Sequence, residues 1–196
     1  MKERPILFNG EMVRAILEGS KTQTRRVMKP QSDKFIWGRP AYHYDLGCYA
    51  VDSQDGWKFV NCPYGQPGDR LWCRETWQVH RLDGITGKEF PNILYKADSS
   101  TRLFINECVW KYNREKPQWR PPIHMPRWAS RITLEINDIR VERLQDISEE
   151  DAWAEGCEID DGRMGWLKYR QLWESINGAE SWASSPWVWV IEFKRL

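Results

Sequence analysis

The segment WVWVIEFKRL (residues 187–196) restricts the fold more than any other part of the chain. It begins as a continuous apolar run, and no charged side chain appears before Glu192. A strand with water on one face alternates apolar and polar residues, whereas an unbroken run of β-branched and aromatic residues is typical of a strand covered on both faces. Residues 187–196 are therefore predicted to form a central, buried strand.

Four further segments carry strand patterns. RITLEINDIRVERL (131–144) alternates apolar and polar residues and is predicted to be one or two strands, bent near Asn137–Asp138. PGDRLWCRETW (67–77) is predicted to be a turn followed by a strand, and NILYKAD (92–98) another strand. CYAVDSQDGWKFVNC (48–62) is typical of a hairpin, because two short strand-like runs flank a D-G turn signal.

Helix signals are local and specific. NGEMVRAILEG (9–19) predicts a short helix that Asn9 caps and Gly19 ends. DISEEDAWAEG (146–156) begins with a capping box, Ser148 to Asp151, and stops at Gly156. GWLKYRQLWESI (165–176) predicts a third helix, with four side chains expected to point inward: Leu167, Leu172, Trp173 and Ile176.

The order of these elements indicates the fold class. The chain has 196 residues, enough for a single domain with its own core. Its short strands are separated by helices and turns without a regular strand–helix alternation, which favours an α+β fold, a small β-barrel decorated with helices. Residues at about 30–67, with several prolines and glycines, and 99–130, which end in the proline-rich WRPPIHMPRWAS, are interpreted as two long irregular insertions.

Composition narrows the class of function. The net charge is +1, from 29 basic and 28 acidic residues, so any nucleic-acid binding must come from a local patch rather than from bulk charge. No apolar run approaches the length of a membrane span, and MKERPILFNG is too polar for a signal peptide. Five cysteines without a C-x-x-C pair predict reduced thiols in a cytoplasmic protein. A metal bound by His43, Cys48 and Cys62 is the alternative to free thiols.

The stretch GSKTQTRR (19–26) concentrates cations and hydroxyls just after the first predicted helix. Cations are favoured by the dipole at a helix C-terminus, and threonines at 22 and 24 suit the start of a strand. A structural role therefore competes with a functional one when this stretch is taken by itself.

The same stretch resembles the G-x-K-x-x-T-x-R signature of the ASCH (activating-signal-cointegrator homology) domain, through Gly19, Lys21, Thr24 and Arg26. Three more pieces are similar to that family in the same order: 67–77, the helix end with A-x-x-E-G at 152–156, and the closing strand 187–196. The two insertions are additional to the short form of the family, and the longer form is typical of bacteriophage and prophage genomes. The resemblance implies a PUA-like barrel.

The resemblance also implies RNA or nucleoside chemistry. Small bacterial members are amidohydrolases that remove the acetyl group from N(4)-acetylcytidine, other members are described as ribonucleases, and related barrels bind RNA without cutting it. It implies Lys21, Thr24 and Glu155 as the catalytic residues. Thr24 supplies a hydroxyl, Lys21 acts as base if burial and neighbouring cations lower its pKa, and Glu155 protonates the leaving amine.

Six further residues are candidates for substrate binding. Arg26 or its neighbour Arg25 is expected to hold a carbonyl or a phosphate, and Glu75 to pair with Lys21 or Arg26, a plain salt bridge being the alternative. Trp37 and Trp57 are candidates for stacking on a base, against local packing. Arg127 lies in WRPPIHMPRW (119–128), a candidate RNA-contact loop or a proline-rich brace.

The sequence thus predicts a hydrolase of an acylated cytosine base in a nucleoside or RNA. No cofactor is predicted, and no metal, because no ligand cluster stands out in the chain. A ribonuclease that uses the same cleft and a non-catalytic RNA-binding module are the alternatives. No membrane partner is expected, and the sequence gives no indication of the oligomeric state.

Overall fold

A computed structural model describes residues 1–31, 41–43, 48–53, 56–83, 89–103, 118–157 and 164–196. Within these ranges it has three α-helices: α1 (Gly10–Glu18), α2 (Glu149–Ala154) and α3 (Gly165–Asn177). The strands are β1 (Glu3–Leu7), β2 (Gln23–Val27), β3 (Ala41–His43), β4 (Cys48–Ser53), β5 (Gly56–Val60), β6 (Arg70–Arg74), β7 (Trp77–Asp83), β8 (Glu89–Tyr95), β9 (Thr101–Leu103), β10 (Thr133–Arg143) and β11 (Trp187–Arg195).

A five-stranded sheet in the order β1-β6-β10-β11-β2 forms the centre of the molecule. The pairing of β1 with β6 is parallel, and the other neighbours are antiparallel. The predicted central strand is confirmed, since β11 lies between β10 and β2 and its residues Trp187–Ile191 are all buried.

Each face of β11 is covered by a different core, which explains its unbroken apolar run. Alternate residues from Trp187 to Phe193 pack into a core with α1, here called the α1 core. Val188 and Val190 pack on the other face into the α2–α3 core, which contains Tyr169 and Trp173. Because both faces bury side chains, no position from 187 to 191 tolerates a polar residue.

Most local predictions agree with the structure. Asn9 accepts a hydrogen bond from the Met12 amide, and Ser148 accepts one from the Asp151 amide, so both predicted N-caps are confirmed. β4 and β5 pair antiparallel as the predicted hairpin. The predicted bend in 131–144 is a register shift of β10 against β11 between Ile136 and Asp138.

The inward face of α3 was predicted only in part. Trp173 is buried as expected, but Ile176 is 53% exposed, so its predicted inward position is wrong. The buried line runs instead through Gly165, Tyr169 and Trp173, four residues apart. Ile176 lies in the last turn of α3, one residue before the helix ends, where it is beside solvent. The Tyr169 ring lies next to Arg25 of β2, with its centroid 5.9 Å from the guanidinium carbon.

The fold is α+β, as predicted, but in the described residues the large sheet is open rather than a closed barrel. β1 and β2 are its two edge strands. The Arg26 guanidinium crosses from one edge to the other, where it donates from Nη2 to the Leu7 carbonyl oxygen and lies 5.4 Å from the Phe8 ring centroid. The predicted insertions contribute the sheet β3-β4-β5 and part of the sheet β7-β8-β9.

No α-helix in the ranges described here combines the length and the hydropathy that crossing a bilayer demands. Four of the five cysteines lie in these ranges, Cys48, Cys62, Cys73 and Cys157, and each has a free thiol.

Candidate active site

The residues after α1 are held between two helices. Gly19 ends α1 with φ of 87°, a left-handed conformation that suits glycine. The next segment is fixed by its backbone, since the Lys21 amide donates to the Ala15 carbonyl oxygen and the Thr22 amide donates to that of Ala154. The signature stretch is therefore clamped between α1 and the end of α2 before it enters β2.

A buried ion pair joins Lys21 to Glu155. Lys21 Nζ lies 2.6 Å from Glu155 Oε2 and also donates to the Glu155 carbonyl oxygen at 2.9 Å. The two side chains are 0% and 1% exposed. Arg25 Nη1 approaches the other carboxylate oxygen, Oε1, at 3.5 Å. The structure thus brings together two of the three predicted catalytic residues, which are separated by 134 positions.

Burial controls the protonation of this pair. Loss of water lowers the pKa of the Lys21 ammonium, against the opposing attraction of Glu155, and Arg26 adds a smaller lowering effect. Burial also raises the pKa of Tyr169 well above its usual range, with a further contribution from the Glu155 charge. The low dielectric around this pair disfavours an isolated charge, so Lys21 and Glu155 stabilise each other only while they remain in contact.

Arg25 has a different environment from the one predicted. Its guanidinium is fully buried and pairs with Asp151 at 2.8 Å and Glu142 at 3.1 Å. Gln23 links the same groups, since it donates to Asp151 and accepts from Arg25. Asp151, identified in the sequence only as part of a capping box, instead directs its carboxylate to this network. Arg25 is therefore a structural counter-ion next to Glu155.

Gly156 allows the end of α2 to pass directly over Lys21. Its φ is 83°, and a Cβ placed there would lie 3.0 Å from Ala15 Cβ and 3.3 Å from Lys21 Cβ. Only glycine satisfies both the left-handed backbone and this close approach. The A-x-x-E-G pattern at 152–156 thus has a physical reason.

We expect Gly156→Ala to destabilise the fold by about 1–3 kcal/mol, because it adds both backbone strain and a clash. Gly19→Ala is the matched control, since Gly19 has a similar φ of 87° but open space around it. Urea unfolding of both variants should give the larger loss for Gly156→Ala. Equal losses would mean that the contact with Ala15 and Lys21 is unimportant.

Glu155 lies in the wall of two clefts. The small cleft, about 60 Å³, is lined by Met12, Thr24, Arg25, Arg26, Val27, Glu155, Tyr169, Leu172, Trp173, Ile176 and Asn177. The large cleft, about 370 Å³, is lined by Glu11, Met12, Arg14, Ala15, Glu18, Ser20, Glu155, Gly156, Cys157, Lys168 and Leu172. The two clefts share three lining residues, Met12, Glu155 and Leu172.

A third and larger cleft, about 790 Å³, lies at the start of the chain, beside Lys2, Arg4, Cys62 and Asp69. Its charges satisfy one another: Asp69 accepts from the Lys2 amide and pairs with Arg4 at 3.0 Å. Burial raises the pKa of Cys62 to about 11, which makes that thiol a poor nucleophile. Volume alone would favour this cleft. Its Asp69 carboxylate is already paired and its thiol is unreactive, however, so the two clefts lined by Glu155 are the better candidates.

Thr24 and Arg26 lie on the edge strand β2. Thr24 pairs with Ile191 and so faces the α1 core, whereas Arg25 pairs with Val190 on the opposite face. At this edge Thr24 lines the small cleft. Its hydroxyl makes no hydrogen bond to Lys21 or Glu155 within the described residues. Arg26 also lines the small cleft, with its guanidinium engaged by Leu7 and Phe8.

The other predicted binding residues are elsewhere. Glu75 does not pair with Lys21 or Arg26. It accepts two hydrogen bonds of 2.8 Å from Arg131, so the alternative of a plain salt bridge is the one observed. Arg127 pairs with Glu3 at 3.0 Å on the surface. Trp37 and the side chain of Trp57 lie outside the described parts of the structure.

Tyr169 and Trp173 were not predicted as site residues, although both line the small cleft. The available signal was their spacing of four on α3, which places two aromatic rings on one helix face. Their relation to Glu155 depends on how α3 packs on the sheet, and no local pattern contains that information. Trp173 was predicted only as a core residue.

No model of a known protein family matches this chain, and comparisons with curated proteins and with solved structures likewise find no match. Among the side chains that the structure describes, no three His, Cys, Asp or Glu residues are grouped as metal ligands.

Proposed function

We propose that this protein is a hydrolase that removes the acyl group from the exocyclic amine of a cytosine base, with N(4)-acetylcytidine, free or within RNA, as the representative substrate. The observation that carries the proposal is the buried Lys21–Glu155 pair, 2.6 Å apart, of which Glu155 lines two clefts. The proposal includes membership of the ASCH domain family and its PUA-like fold, which the motif at 19–26 supports.

A buried lysine–glutamate pair suits the hydrolysis of an amide. Such a reaction needs a group that accepts a proton from the nucleophile and another that donates a proton to the leaving amine. When the shared proton moves from Lys21 to Glu155, the pair becomes a neutral amine and a carboxylic acid. Desolvation, which lowers the pKa of Lys21, favours that form. The pair then holds the base and the acid together.

The proposed reaction proceeds in two steps. The Thr24 hydroxyl oxygen forms a bond to the acyl carbon, its proton passes to the Lys21–Glu155 pair, the C–N(4) bond breaks, and the cytosine nitrogen takes a proton from Glu155. Water then attacks the acyl ester, the carboxylic acid leaves, and Thr24 regains its proton. One water is consumed for each cytidine and carboxylic acid formed. Among the residues of the small cleft, Thr24 alone has an aliphatic hydroxyl.

The dimensions and charges of the clefts favour a nucleoside-sized ligand. Small-molecule sites are commonly about 300–1,000 Å³, and the large cleft, about 370 Å³, is at the lower end of that range. Its lining is mixed in charge, with Glu11, Glu18 and Glu155 beside Arg14 and Lys168. A nucleic-acid backbone is bound by several cations in a row that neutralise its phosphates, and this mixed lining does not supply them. Ribonuclease activity is therefore the second candidate.

An assay with two substrates in the presence of a chelator tests the proposal. The purified protein should convert N(4)-acetylcytidine to cytidine and leave an unmodified single-stranded RNA intact. A ribonuclease would shorten the RNA and leave the nucleoside unchanged. A binding module would change neither, and its RNA affinity would fall steeply with salt concentration. Either of the last two results would contradict the proposal.

The pH dependence of the rate provides a further prediction. The proposed pair works with one proton, which Lys21 passes to Glu155, and burial lowers the pKa of Lys21 below the ordinary value of 10.5. Above this lowered pKa the pair loses its proton to solvent and cannot protonate the leaving amine. We therefore expect kcat/KM to fall as the pH rises through this pKa, by about tenfold per pH unit, with a midpoint below that of an exposed lysine. Initial rates across a buffer series measure it. A rate that is unchanged on the alkaline side, or a midpoint at the ordinary lysine value, would contradict the role of Lys21.

A further inference from the structure

The proposed reaction needs a group that stabilises negative charge on the substrate. When the Thr24 hydroxyl attacks the acyl carbon, the carbonyl oxygen becomes an oxyanion. Hydrogen-bond donors that already point at this oxygen commonly make the largest single contribution to such a rate. The Lys21–Glu155 pair has a different task, since it accepts and returns the moving proton. A further donor near Thr24 is therefore required.

Most polar side chains of the small cleft are already engaged. The Arg25 guanidinium is held by carboxylates, and Arg26 Nη2 donates to a backbone carbonyl oxygen at the opposite edge of the sheet. Asn177 Nδ2 donates to the Trp173 carbonyl oxygen at 3.1 Å. The indole Nε1 of Trp173 has no accessible surface, so no ligand reaches it in this structure.

The Tyr169 hydroxyl is in a different position. Tyr169 lines the small cleft together with Thr24 and Glu155, and it lines neither of the other two clefts. Its hydroxyl makes no hydrogen bond within the part of the chain that the structure describes, yet its oxygen is not one of the unpaired polar atoms without accessible surface. Although the whole residue is only 3% exposed, the hydroxyl therefore retains accessible surface, where it can meet a ligand.

Other tyrosines of the described chain use their hydroxyls internally. Tyr95 is 0% exposed and donates to the Ala129 carbonyl oxygen at 2.8 Å. Tyr49 donates to the Ile139 carbonyl oxygen at 3.1 Å. A buried tyrosine hydroxyl usually has such a partner, and a polar group that lacks one in a native protein requires an explanation. Service to a ligand explains the unengaged hydroxyl of Tyr169.

The surroundings of Tyr169 keep its proton in place. Burial raises the pKa of Tyr169 well above its usual range, and the nearby Glu155 charge adds to this effect. The Arg25 guanidinium carbon lies 5.9 Å from the ring centroid, so the ring packs between α3 and β2. The phenol therefore stays protonated at any ordinary pH, and it can donate a hydrogen bond without releasing its proton.

We propose that Tyr169 is a further catalytic residue, whose hydroxyl donates a hydrogen bond to the acyl carbonyl oxygen and stabilises the oxyanion. This inference rests on the proposed function and adds the donor that the proton-transfer pair does not supply. As the Thr24 oxygen bonds to the acyl carbon, the π-electron pair of the carbonyl moves onto its oxygen, beside the Tyr169 hydroxyl. When the C–N(4) bond breaks, the carbonyl double bond forms again. Tyr169 keeps its proton throughout.

Kinetics of two phenylalanine variants test this role. Tyr169→Phe removes only the hydroxyl and should lower kcat for N(4)-acetylcytidine by about 10²–10³-fold with little change in KM, because the hydrogen bond is strongest in the transition state. Tyr95→Phe is the matched control, since Tyr95 is buried and lines none of the three clefts. A wild-type kcat in Tyr169→Phe, or an equal loss in Tyr95→Phe, would contradict the proposal.

Urea unfolding of the same two variants should give the opposite order. Tyr95→Phe loses a hydrogen bond inside the protein and should unfold at a lower urea concentration than the wild type. Tyr169→Phe loses no internal hydrogen bond, so its midpoint should be unchanged or higher. A clear decrease in the midpoint of Tyr169→Phe would show that the hydroxyl acts in folding and contradict the proposal.

Infrared spectroscopy detects the contact without turnover. In the complex of Lys21→Met with N(4)-acetylcytidine, ¹³C-labelled at the acyl carbonyl, the hydrogen bond from Tyr169 should weaken the C=O bond. The labelled carbonyl band should therefore lie at a lower wavenumber than in the complex of the Lys21→Met, Tyr169→Phe double variant. The same band position in both complexes would show that Tyr169 does not contact the carbonyl oxygen.

The two proposals fail in different ways. If hydrolysis occurs and Tyr169→Phe is as fast as the wild type, the hydrolase stands and the role of Tyr169 is wrong. If the wild type does not hydrolyse N(4)-acetylcytidine but the carbonyl band depends on Tyr169, the contact stands and the hydrolase assignment is wrong. No hydrolysis together with no band shift would overturn both.

Discussion

Lys21→Arg should lower kcat/KM for N(4)-acetylcytidine by about 10²–10⁴-fold, the usual contribution of a positioned acid–base group. Arginine keeps the positive charge opposite Glu155 but does not release its proton at any ordinary pH. The proposed transfer of a proton from residue 21 to Glu155, across a contact that is 2.6 Å in the wild type, can then no longer take place. Initial rates of cytidine formation, together with the circular dichroism of both proteins, measure the effect.

Two further variants keep this result interpretable. Lys194→Arg changes an exposed lysine that pairs with Glu135 at the end of β11, and its rate should match that of the wild type. Lys21→Met fills the buried space without a charge, and it should also be inactive if arginine proves too large for the site. Wild-type rates in either Lys21 variant would show that Lys21 takes no part in proton transfer.

Arg25→Met should destabilise the protein by about 3–5 kcal/mol, because it removes the fully buried cation from a cluster of three carboxylates, which Lys21 and Arg140 then balance only in part. Arg25 is 0% exposed and pairs with Glu142, Asp151 and Glu155. Methionine is similar in length and supplies no charge. The decrease in the free energy of unfolding therefore reflects the lost ion pairs rather than a cavity in the core. Denaturant unfolding monitored by tryptophan fluorescence gives the free energy of unfolding.

Arg140 provides the matched control within the same network. It pairs with Glu142, Asp151 and Glu192, but its side chain is 29% exposed. Water screens this guanidinium and its partners, so Arg140→Met should cost about 1 kcal/mol or less. If the two arginines gave equal losses, burial of Arg25 would not be the source of its contribution.

The parts of the fold that were predicted correctly depend on short-range information. The caps at Asn9 and Ser148 are read from neighbouring residues, and the bend near Asp138 from a change in alternation. The interior position of β11 follows from its own residues, because a strand without a polar face must be covered by other elements on both faces. Each of these predictions requires no knowledge of which elements meet.

The site depends on contacts between distant segments, and there the sequence supplied less. The proximity of Lys21 to Glu155 came from the family resemblance, since no spacing rule connects residues 134 positions apart. For Glu75 the sequence left two alternatives open, a pair with Lys21 or Arg26 and a plain salt bridge, and it did not identify the observed partner, Arg131, which lies 56 positions away. A closed barrel has no free edge strands. Here the Arg26 side chain links the edge strands β1 and β2, and no backbone pairing joins them in the described residues.

Side-chain environment was the hardest property to predict. Arg25 and Arg26 are neighbours with the same side chain, yet one is a buried counter-ion for acidic residues and the other spans the two sheet edges. The alternation of β2 decides this difference, because successive side chains of a strand point to opposite faces of the sheet. Trp173 was predicted to point inward and does so, but neither Trp173 nor Tyr169 was predicted at the site, because the way α3 packs beside Glu155 is not contained in a local pattern.

Hydrolysis of N(4)-acetylcytidine in ¹⁸O-labelled water tests the central claim most directly. Attack at the acyl carbon, as proposed for Thr24 with Lys21 and Glu155, should release many acetate molecules per protein chain, each with one labelled oxygen, and unlabelled cytidine. Attack at the ring carbon instead would release acetamide and labelled uridine. Mass spectrometry of the products distinguishes the two. Labelled acetate with unlabelled cytidine is the predicted result, and labelled uridine, or no product from the folded protein, would contradict the account.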